Sequence, residues 1–278
     1  MFEAEYCIFE NTTRFSLEKL VIIPTYNEIE NIPLILKAIL SLNQNYHVLV
    51  VDDNSPDGTA EAVERLKEDY TYELFILRRQ GKLGLGTAYI DGFKWAIDKE
   101  YDFIFEMDAD FSHNPSDLER LYNACKNESC DVAIGSRYVP GGKTENWPLD
   151  RHIYSKGGAF YTRLITFMPV KDPTAGFVCY KRKVLETINF NEIKFIGYAF
   201  QIEMKFAAWK IGFKLKEVPI TFIDRKTGIS KMSKTILKEG VLGVLIIQLK
   251  SLFGNYRKRM KTIPSHNFSA PVLTESNN

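Results

Sequence analysis

From Leu20 onward the chain alternates short apolar runs with longer stretches whose apolar residues recur at helical spacing. LVIIP, HVLVVDD, YELFIL, YDFIFEMD and CDVAIGS are short, rich in β-branched and aromatic residues, and bounded by polar turns, which is the pattern of strands. Between them, Ile29–Leu42, Thr59–Asp69, Gly86–Lys99 and Pro115–Lys126 carry the periodicity of amphipathic helices. Asn114 followed by Pro115 supplies a capping residue and a proline suited to the first helical position. Alternation of this kind predicts crossover connections. The fold class is therefore α/β, with a Rossmann-like, mostly parallel sheet and helices on both faces.

Beyond Gly135 the rhythm loosens. Tyr138–Trp147 is rich in Gly and Pro and reads as a mobile loop. Helices are expected from Asp150 to about Phe167 and over Tyr198–Ile211, and LKEVPITFID reads as a late strand followed by a basic loop. One more helix is expected from Ser233 to about Phe253. The resulting division is an N-terminal extension over 1–19, one α/β domain over 20–232, an apolar helix over 233–254 and a basic, then polar, tail over 255–278.

Composition narrows the function. Among 278 residues, 36 Lys and Arg face 35 Asp and Glu, a balance too even for a dedicated nucleic-acid binder. An aromatic content of 13% excludes a globally disordered chain. Cys7, Cys125, Cys130 and Cys179 contain no Cys-x-x-Cys pair, so they read as thiols of a reducing compartment, not as a disulfide framework or zinc site. The N-terminal residues lack the apolar core of a signal peptide, and Val241–Leu249 falls short of the roughly 18–20 residues that span a bilayer. The expectation is a soluble or peripheral cytoplasmic protein.

In a doubly wound sheet, ligands bind outside the carboxyl ends of the strands. Four polar clusters fall at such ends here: Pro24-Thr25-Tyr26-Asn27-Glu28, the run Asp52 to Thr59, Asp108-Ala109-Asp110, and Gly135-Ser136-Arg137-Tyr138. Alternate acids at Asp108 and Asp110 can direct two carboxylates toward one hard cation, whose open positions suit phosphate oxygens. A solvated turn with two capping acids is the plainer alternative; the polar strand ends upstream weigh against it. In the second cluster, Asp57, Gly58 and Thr59 suit a helix start, which leaves one of Asp52 and Asp53 to face a ligand.

The motifs VIIPTYNE, VVDDNSPDGT, GKLGLGTAY, MDADFSH, IGSRY and FQIEM resemble those of family 2 glycosyltransferases with the GT-A fold, and within them the dolichol- or polyprenol-phosphate mannose synthases. The resemblance covers roughly Leu20 to Phe253. It implies an inverting transfer of mannose from GDP-mannose to a polyprenyl phosphate. By the same resemblance Pro24, Tyr26, Glu28, Val51 and Asp53 bind the nucleotide. Asp108 and Asp110 hold Mg²⁺ or Mn²⁺ and the diphosphate, Ala109 contributes backbone, and Asp110 and Arg137 carry the catalytic step. Arg137, Arg225 and Lys231 grip phosphate, with Arg137, Arg151 and Ser155 near the acceptor phosphate. A phosphate monoester nucleophile has a second pKa of about 6 and needs no strong general base. His113 is accordingly read as a helix-entry or packing residue.

A polyprenyl acceptor implies a membrane surface as a partner, and the family includes members that borrow a small membrane subunit. The apolar segment Val241–Leu249, with Lys250 and the Arg257-Lys258-Arg259 cluster after it, suits an anionic membrane surface. A core-packed helix with a solvated tail is the equal alternative. Two rival functions share the motifs: a UDP-glucose-dependent polyprenyl-phosphate glucosyltransferase, and a noncatalytic nucleotide-sugar-binding subunit. A phosphorelay receiver domain explains paired acids after a strand but not the Asp-Ala-Asp cluster or the length that follows it.

Overall fold

The computed structural model describes residues 18–42, 44–127, 130–224 and 234–253. The chain runs β1 (Lys19–Thr25), α1 (Ile32–Leu40), β2 (His47–Asp52), α2 (Thr59–Lys67), β3 (Leu74–Arg78), α3 (Leu85–Asp98) and β4 (Phe103–Glu106). It continues through α4 (Leu118–Lys126), β5 (Val132–Ser136), β6 (Lys143–Glu145), α5 (Leu149–Thr166), β7 (Val178–Lys181), α6 (Arg182–Thr187) and α7 (Tyr198–Ile211). The described part ends with β8 (Leu215–Pro219), β9 (Thr221–Ile223) and α8 (Lys234–Phe253).

Seven strands form one sheet in the order β3-β2-β1-β4-β7-β5-β8. All neighbours pair in parallel except β7, which runs antiparallel between β4 and β5. Each strand turns alternate residues to opposite faces, so β1 sends Leu20 and Ile22 into one core and Val21 and Ile23 into the other. The first core is closed by α3, α7 and α8 through residues such as Phe93, Phe200 and Val244. The second is closed by α1, α2 and α4 through Leu36, Val63 and Leu121. Helix α3 approaches β1 closely at Gly92, where a Cβ would lie 2.7 Å from Ile22 Cγ2. Only a residue without a side chain fits that contact.

The five early strands and the helices between them follow the apolar pattern. Three later features do not. The segment expected to be a mobile loop contains β6, paired in parallel with β9 in a second small sheet. The expected single late strand is split at Ile220 into β8 and β9, which belong to different sheets. Strand β7 and helix α6 went unread because four and six residues are too short to establish a period. Asn114 does cap, accepting from the Ser116 amide at 3.1 Å, although it caps a 3₁₀ turn leading into α4. Cys125, Cys130 and Cys179 are buried free thiols, and Cys7 lies outside the described residues. Among the described residues no helix is long and apolar enough to cross a membrane.

Candidate active site

The chain leaves β1 toward β2 on one side and later returns to β4 on the other, so the carboxyl ends of β1 and β4 flank a topological switch point. Parallel register brings the clusters after β2, β1 and β4 side by side, since Ile22 lies opposite both Leu49 and Glu106. The cluster after β5 stands beyond β7.

The first two clusters are knitted together by their small polar side chains. Asp52 accepts from the Thr25 hydroxyl at 2.8 Å and from the Ser55 amide and hydroxyl at 2.9 and 2.5 Å. Asp57 accepts from the Ile29 amide at 3.1 Å and from the Thr59 amide and hydroxyl at 3.0 and 2.6 Å. These two acids are thus committed to shaping the turns. Asp53 is held differently. Its carboxylate accepts from Arg79 Nη1 at 2.6 Å and from the amides of Leu83 and Gly84 at 3.1 Å, all in or near the turn between β3 and α3. That turn carries Lys82, whose Nζ lies 4.2 Å from the centre of the Tyr26 ring. Asp53 therefore fixes a loop that brings a cation to the mouth beside Tyr26 and Glu28. Pro24 is half-buried at the end of β1, whereas the Val51 side chain is fully buried in the core and has no ligand contact open to it.

At the end of β4, Asp108 is 40% exposed while Ala109 and Asp110 are buried. Asp110 accepts from the Ser112 amide at 3.0 Å, and Phe111 between them adopts a left-handed φ of 59° that turns the chain back over the site. His113 is buried, stacked on Phe177 at 4.9 Å and edge-on to Phe222 at 5.3 Å. Burial pushes its pKa down to about 4, although Asp110 opposes the shift. The ring is thus neutral, and its bare Nδ1 accepts from the Asp108 amide at 3.4 Å. Asp108 Oδ2 lies 4.0 Å from the same nitrogen, but a neutral accepting ring is no ion-pair partner. Packing is what His113 does here.

Beneath this end of β4 lie Glu106 and Lys205, both fully buried. Burial raises the Glu106 carboxyl to about 8 and lowers the Lys205 ammonium to about 8, each partly offset by the other's charge. Lys205 donates to the carbonyls of Ala175 and Gln201 at 2.7 and 3.0 Å. Gln201 and Asp108 meet over Gly176, where a Cβ would lie within 3.9 Å of both side chains.

In the fourth cluster the basic side chain is already engaged within the fold. Arg137 donates through Nε and Nη2 to Asp172 at 2.7 and 2.6 Å, and its amide donates to the same carboxylate at 2.9 Å. Nη2 also reaches the Thr174 hydroxyl at 3.0 Å. The guanidinium is packed among the rings of Tyr138, Trp147 and Phe222 and is only 9% exposed. One edge of the fork is therefore already used internally. Arg151 Nη1 donates to Asp224 at 2.6 Å, and its guanidinium stacks 4.3 Å from the centre of Trp147. Ser155 accepts from the Tyr138 hydroxyl at 2.6 Å. These contacts bring Arg137, Arg151 and Ser155 together around Tyr138 and Trp147. Arg225 and Lys231 lie outside the described residues.

Arg79, Lys82, Asp172 and Trp147 were not singled out from the sequence. The available signal was position: Arg79 follows β3 as the other clusters follow their strands, and Lys82 sits in GKLGLG.

A doubly wound sheet with an Asp-x-Asp pair at the strand end beside its switch point defines a GT-A glycosyltransferase. The family described as Glycosyl transferase family 2 matches residues 20–188, and the chain belongs to it. It is 44% identical over 233 residues to the polyprenol monophosphomannose synthase of Mycolicibacterium smegmatis, covering 84% of this chain and 88% of that protein. It is likewise 44% identical over 242 residues to the undecaprenyl-phosphate mannosyltransferase of Micrococcus luteus, covering 87% of this chain and 98% of that one. Among solved structures, glucosyl-3-phosphoglycerate synthase from Mycobacterium tuberculosis, in complex with Mn²⁺, UDP and phosphoglyceric acid, aligns with a TM-score of 0.63 at 14% identity. That alignment covers 83% of this chain and 78% of the other. A mannosyltransferase from Pyrobaculum calidifontis in complex with GDP-Man and Mn²⁺ aligns at 0.51 and 16% identity, covering 85% and 74%.

Proposed function

We propose that this glycosyltransferase moves mannose from GDP-mannose to a polyprenyl phosphate, with inversion, at a membrane surface. The observation that carries the reading is the Asp108-Ala109-Asp110 turn at the switch point, supported by relatives named for mannosyl transfer to polyprenyl phosphate. Among the described residues no group of three His, Cys, Asp or Glu side chains stands ready to hold a metal. Two carboxylates alone fit Mg²⁺ or Mn²⁺, which keep several positions for water and substrate phosphates. Asp108 and Asp110 are the residues that would hold the ion. When bound, it stabilises negative charge on the departing diphosphate.

The chain's own groups cover the rest. Tyr26 and Glu28, with Lys82 held over the ring by Asp53 and Arg79, form the nucleotide end of the cleft. Arg151 and Ser155 orient the acceptor phosphate, and Arg225 and Lys231 supply further positive charge. The phosphate oxygen forms the new bond to the anomeric carbon as the bond to GDP breaks, and GDP leaves with the electron pair. Since the phosphate is already ionised, no residue need take a proton, which agrees with the neutral, packed His113. A small membrane subunit as a partner belongs to the same proposal.

The test is incubation of pure protein with GDP-mannose or UDP-glucose and a short polyprenyl phosphate, followed by mass analysis of the lipid product. A mannosyl lipid is expected. A glucosyl lipid would move the enzyme to the UDP-sugar class, and no product from either donor would favour a noncatalytic binding role.

A further inference from the structure

Helix α5 has three faces. At 100° per residue, Arg151, Ser155, Ala159, Thr162 and Thr166 share its inner side, and Ala159, Thr162 and Thr166 are buried. Leu149, Ile153, Phe160, Leu164 and Phe167 fall on the opposite side, each more than half exposed. Beside them α8, tied to α5 by the Tyr161 hydroxyl on the Val241 carbonyl at 3.0 Å, exposes Leu242, Ile246, Leu249 and Leu252. Between the inner and outer faces of α5 run Lys156 and Arg163, seven residues apart.

Those two cations, with Lys171, line a cavity of about 390 Å³ whose other walls include Arg137, Tyr138, Ala159 and Phe160; the Arg137 charge is already met by Asp172. None of the three makes an ion pair or side-chain hydrogen bond with a described residue. The nearby acids are otherwise engaged. Asp172 is taken by Arg137. Glu217 accepts from the Ser136 hydroxyl and from the amides of Lys171 and Asp172. Three cations uncompensated among the described residues, around a cavity bordering an exposed apolar stripe, match one kind of ligand: a phosphate attached to hydrocarbon.

We infer that this cavity is a headgroup site for an anionic bilayer phospholipid, adjoining the acceptor site across Arg137 and Tyr138 but using its own cations, and that α5 and α8 lay their apolar faces on the leaflet around it. The distinction rests on the acceptor reading given above, which uses Arg151 and Ser155; Arg137 borders both and is held by Asp172. A second copy of this chain is the poorer occupant, because a two-fold contact would bring this unpaired positive charge near its own copy. An attraction of this type scales at roughly fivefold in partitioning for each Lys or Arg near the surface, on the order of 100-fold for three.

The experiment compares binding of the full chain to vesicles of phosphatidylcholine alone and with a minor fraction of phosphatidic acid. Binding of the wild type only to the latter is expected. The exposed triple variant Lys156→Gln/Arg163→Gln/Lys171→Gln should bind about 100-fold more weakly while still glycosylating a short, water-soluble isoprenyl phosphate at the wild-type rate. Equal binding by wild type and variant overturns the proposal. So does an equal loss in the control Lys37→Gln/Lys94→Gln, which removes exposed cations on α1 and α3. Release from vesicles by millimolar inorganic phosphate would make free phosphate the ligand, and failure on the water-soluble acceptor would merge the cavity with the acceptor site. A wild-type dimer that the variant abolishes would place a second copy there. A wild type that binds vesicles but transfers no sugar would overturn the mannosyltransfer reading and leave this one standing.

Discussion

Replacing Asp172 with Asn tests how the proposed acceptor side of the cleft is held. Asp172 is 0% exposed and receives the amide, Nε and Nη2 of Arg137, whose side chain has almost no contact with water. Asn preserves the shape but removes the charge. It also turns an NH₂ group toward a guanidinium that has only donors to offer. Breaking a buried pair by removing one partner costs about 3–5 kcal/mol, because the other charge stays buried. The low exposure of both groups leaves little solvent screening to reduce that figure. With a urea slope of roughly 3 kcal/mol/M, the unfolding midpoint should fall by about 1–1.7 M. Tryptophan fluorescence suits the assay, since Trp147 packs against Arg137. The same variant loosens Tyr138, which holds Ser155, so the acceptor KM should rise more than the donor KM. An unchanged midpoint with a raised acceptor KM would refute the reasoning, because Arg137 would then serve the phosphate directly and not the fold.

Other outcomes are open to simpler measurements. Asp108→Asn and Asp110→Asn should each lower transfer by at least about 100-fold with an unchanged circular dichroism spectrum; activity insensitive to both substitutions and to a chelator would remove the metal assignment. Lys82→Met should raise the donor KM severalfold and leave the acceptor KM alone, and the reverse split would place Lys82 elsewhere. Because the His113 pKa falls to about 4 in the folded chain, the unfolded chain binds the extra proton between about pH 6.5 and 4. Stability should therefore decline by roughly 3 kcal/mol on acidification across that window, and His113→Gln should flatten the slope; an identical slope in the variant would exclude His113 as its source. Gly92→Ala drives a Cβ to 2.7 Å from Ile22 Cγ2 and should cost about 1–3 kcal/mol in urea unfolding. In an Ile22→Ala background, which lacks both Cγ2 and Cδ1, the same substitution should cost less, and an equal cost would place the strain elsewhere.

The readable part of this molecule is its first half. Strands β1, β2 and β4 announce themselves because buried parallel strands require unbroken apolar runs, and the polar clusters that end them stand out by contrast. The pair β6 and β9 carries no such signal: Lys143-Thr144-Glu145 is polar, and its pairing depends on a strand that follows some 75 residues later. The same separation hid the duties of the site residues. Asp53 and Arg79 are 26 positions apart, and Arg137 and Asp172 are 35 apart, so no local period encodes either pair. A motif identifies Arg137 as a basic residue at a strand end. Only the fold shows that Asp172 reaches it first.

Three Arg–Asp pairs now describe how the cleft is held: Arg79 with Asp53, Arg137 with Asp172, and Arg151 with Asp224. Each joins a strand-end cluster or an α5 residue to a segment outside the main sheet. Buried pairs of this kind are weak sources of stability, since desolvation consumes much of the attraction. What they provide is position, because a fork on a carboxylate fixes both direction and distance. They also cancel their own charge. On the proposed reading, the field for an anionic donor and acceptor then comes from cations without an ion pair among the described residues, such as Lys82 over the Tyr26 ring. Arg151–Asp224 is the most exposed of the three pairs, with side chains about one-quarter open, and Asp224 directly precedes Arg225. If an acceptor phosphate competes with Asp224 for Arg151, binding the acceptor changes the contacts of the residue directly before Arg225 in the sequence. On the proposed reading, acceptor and donor binding are then energetically coupled, and Asp224→Asn should weaken that coupling more than it weakens either affinity alone.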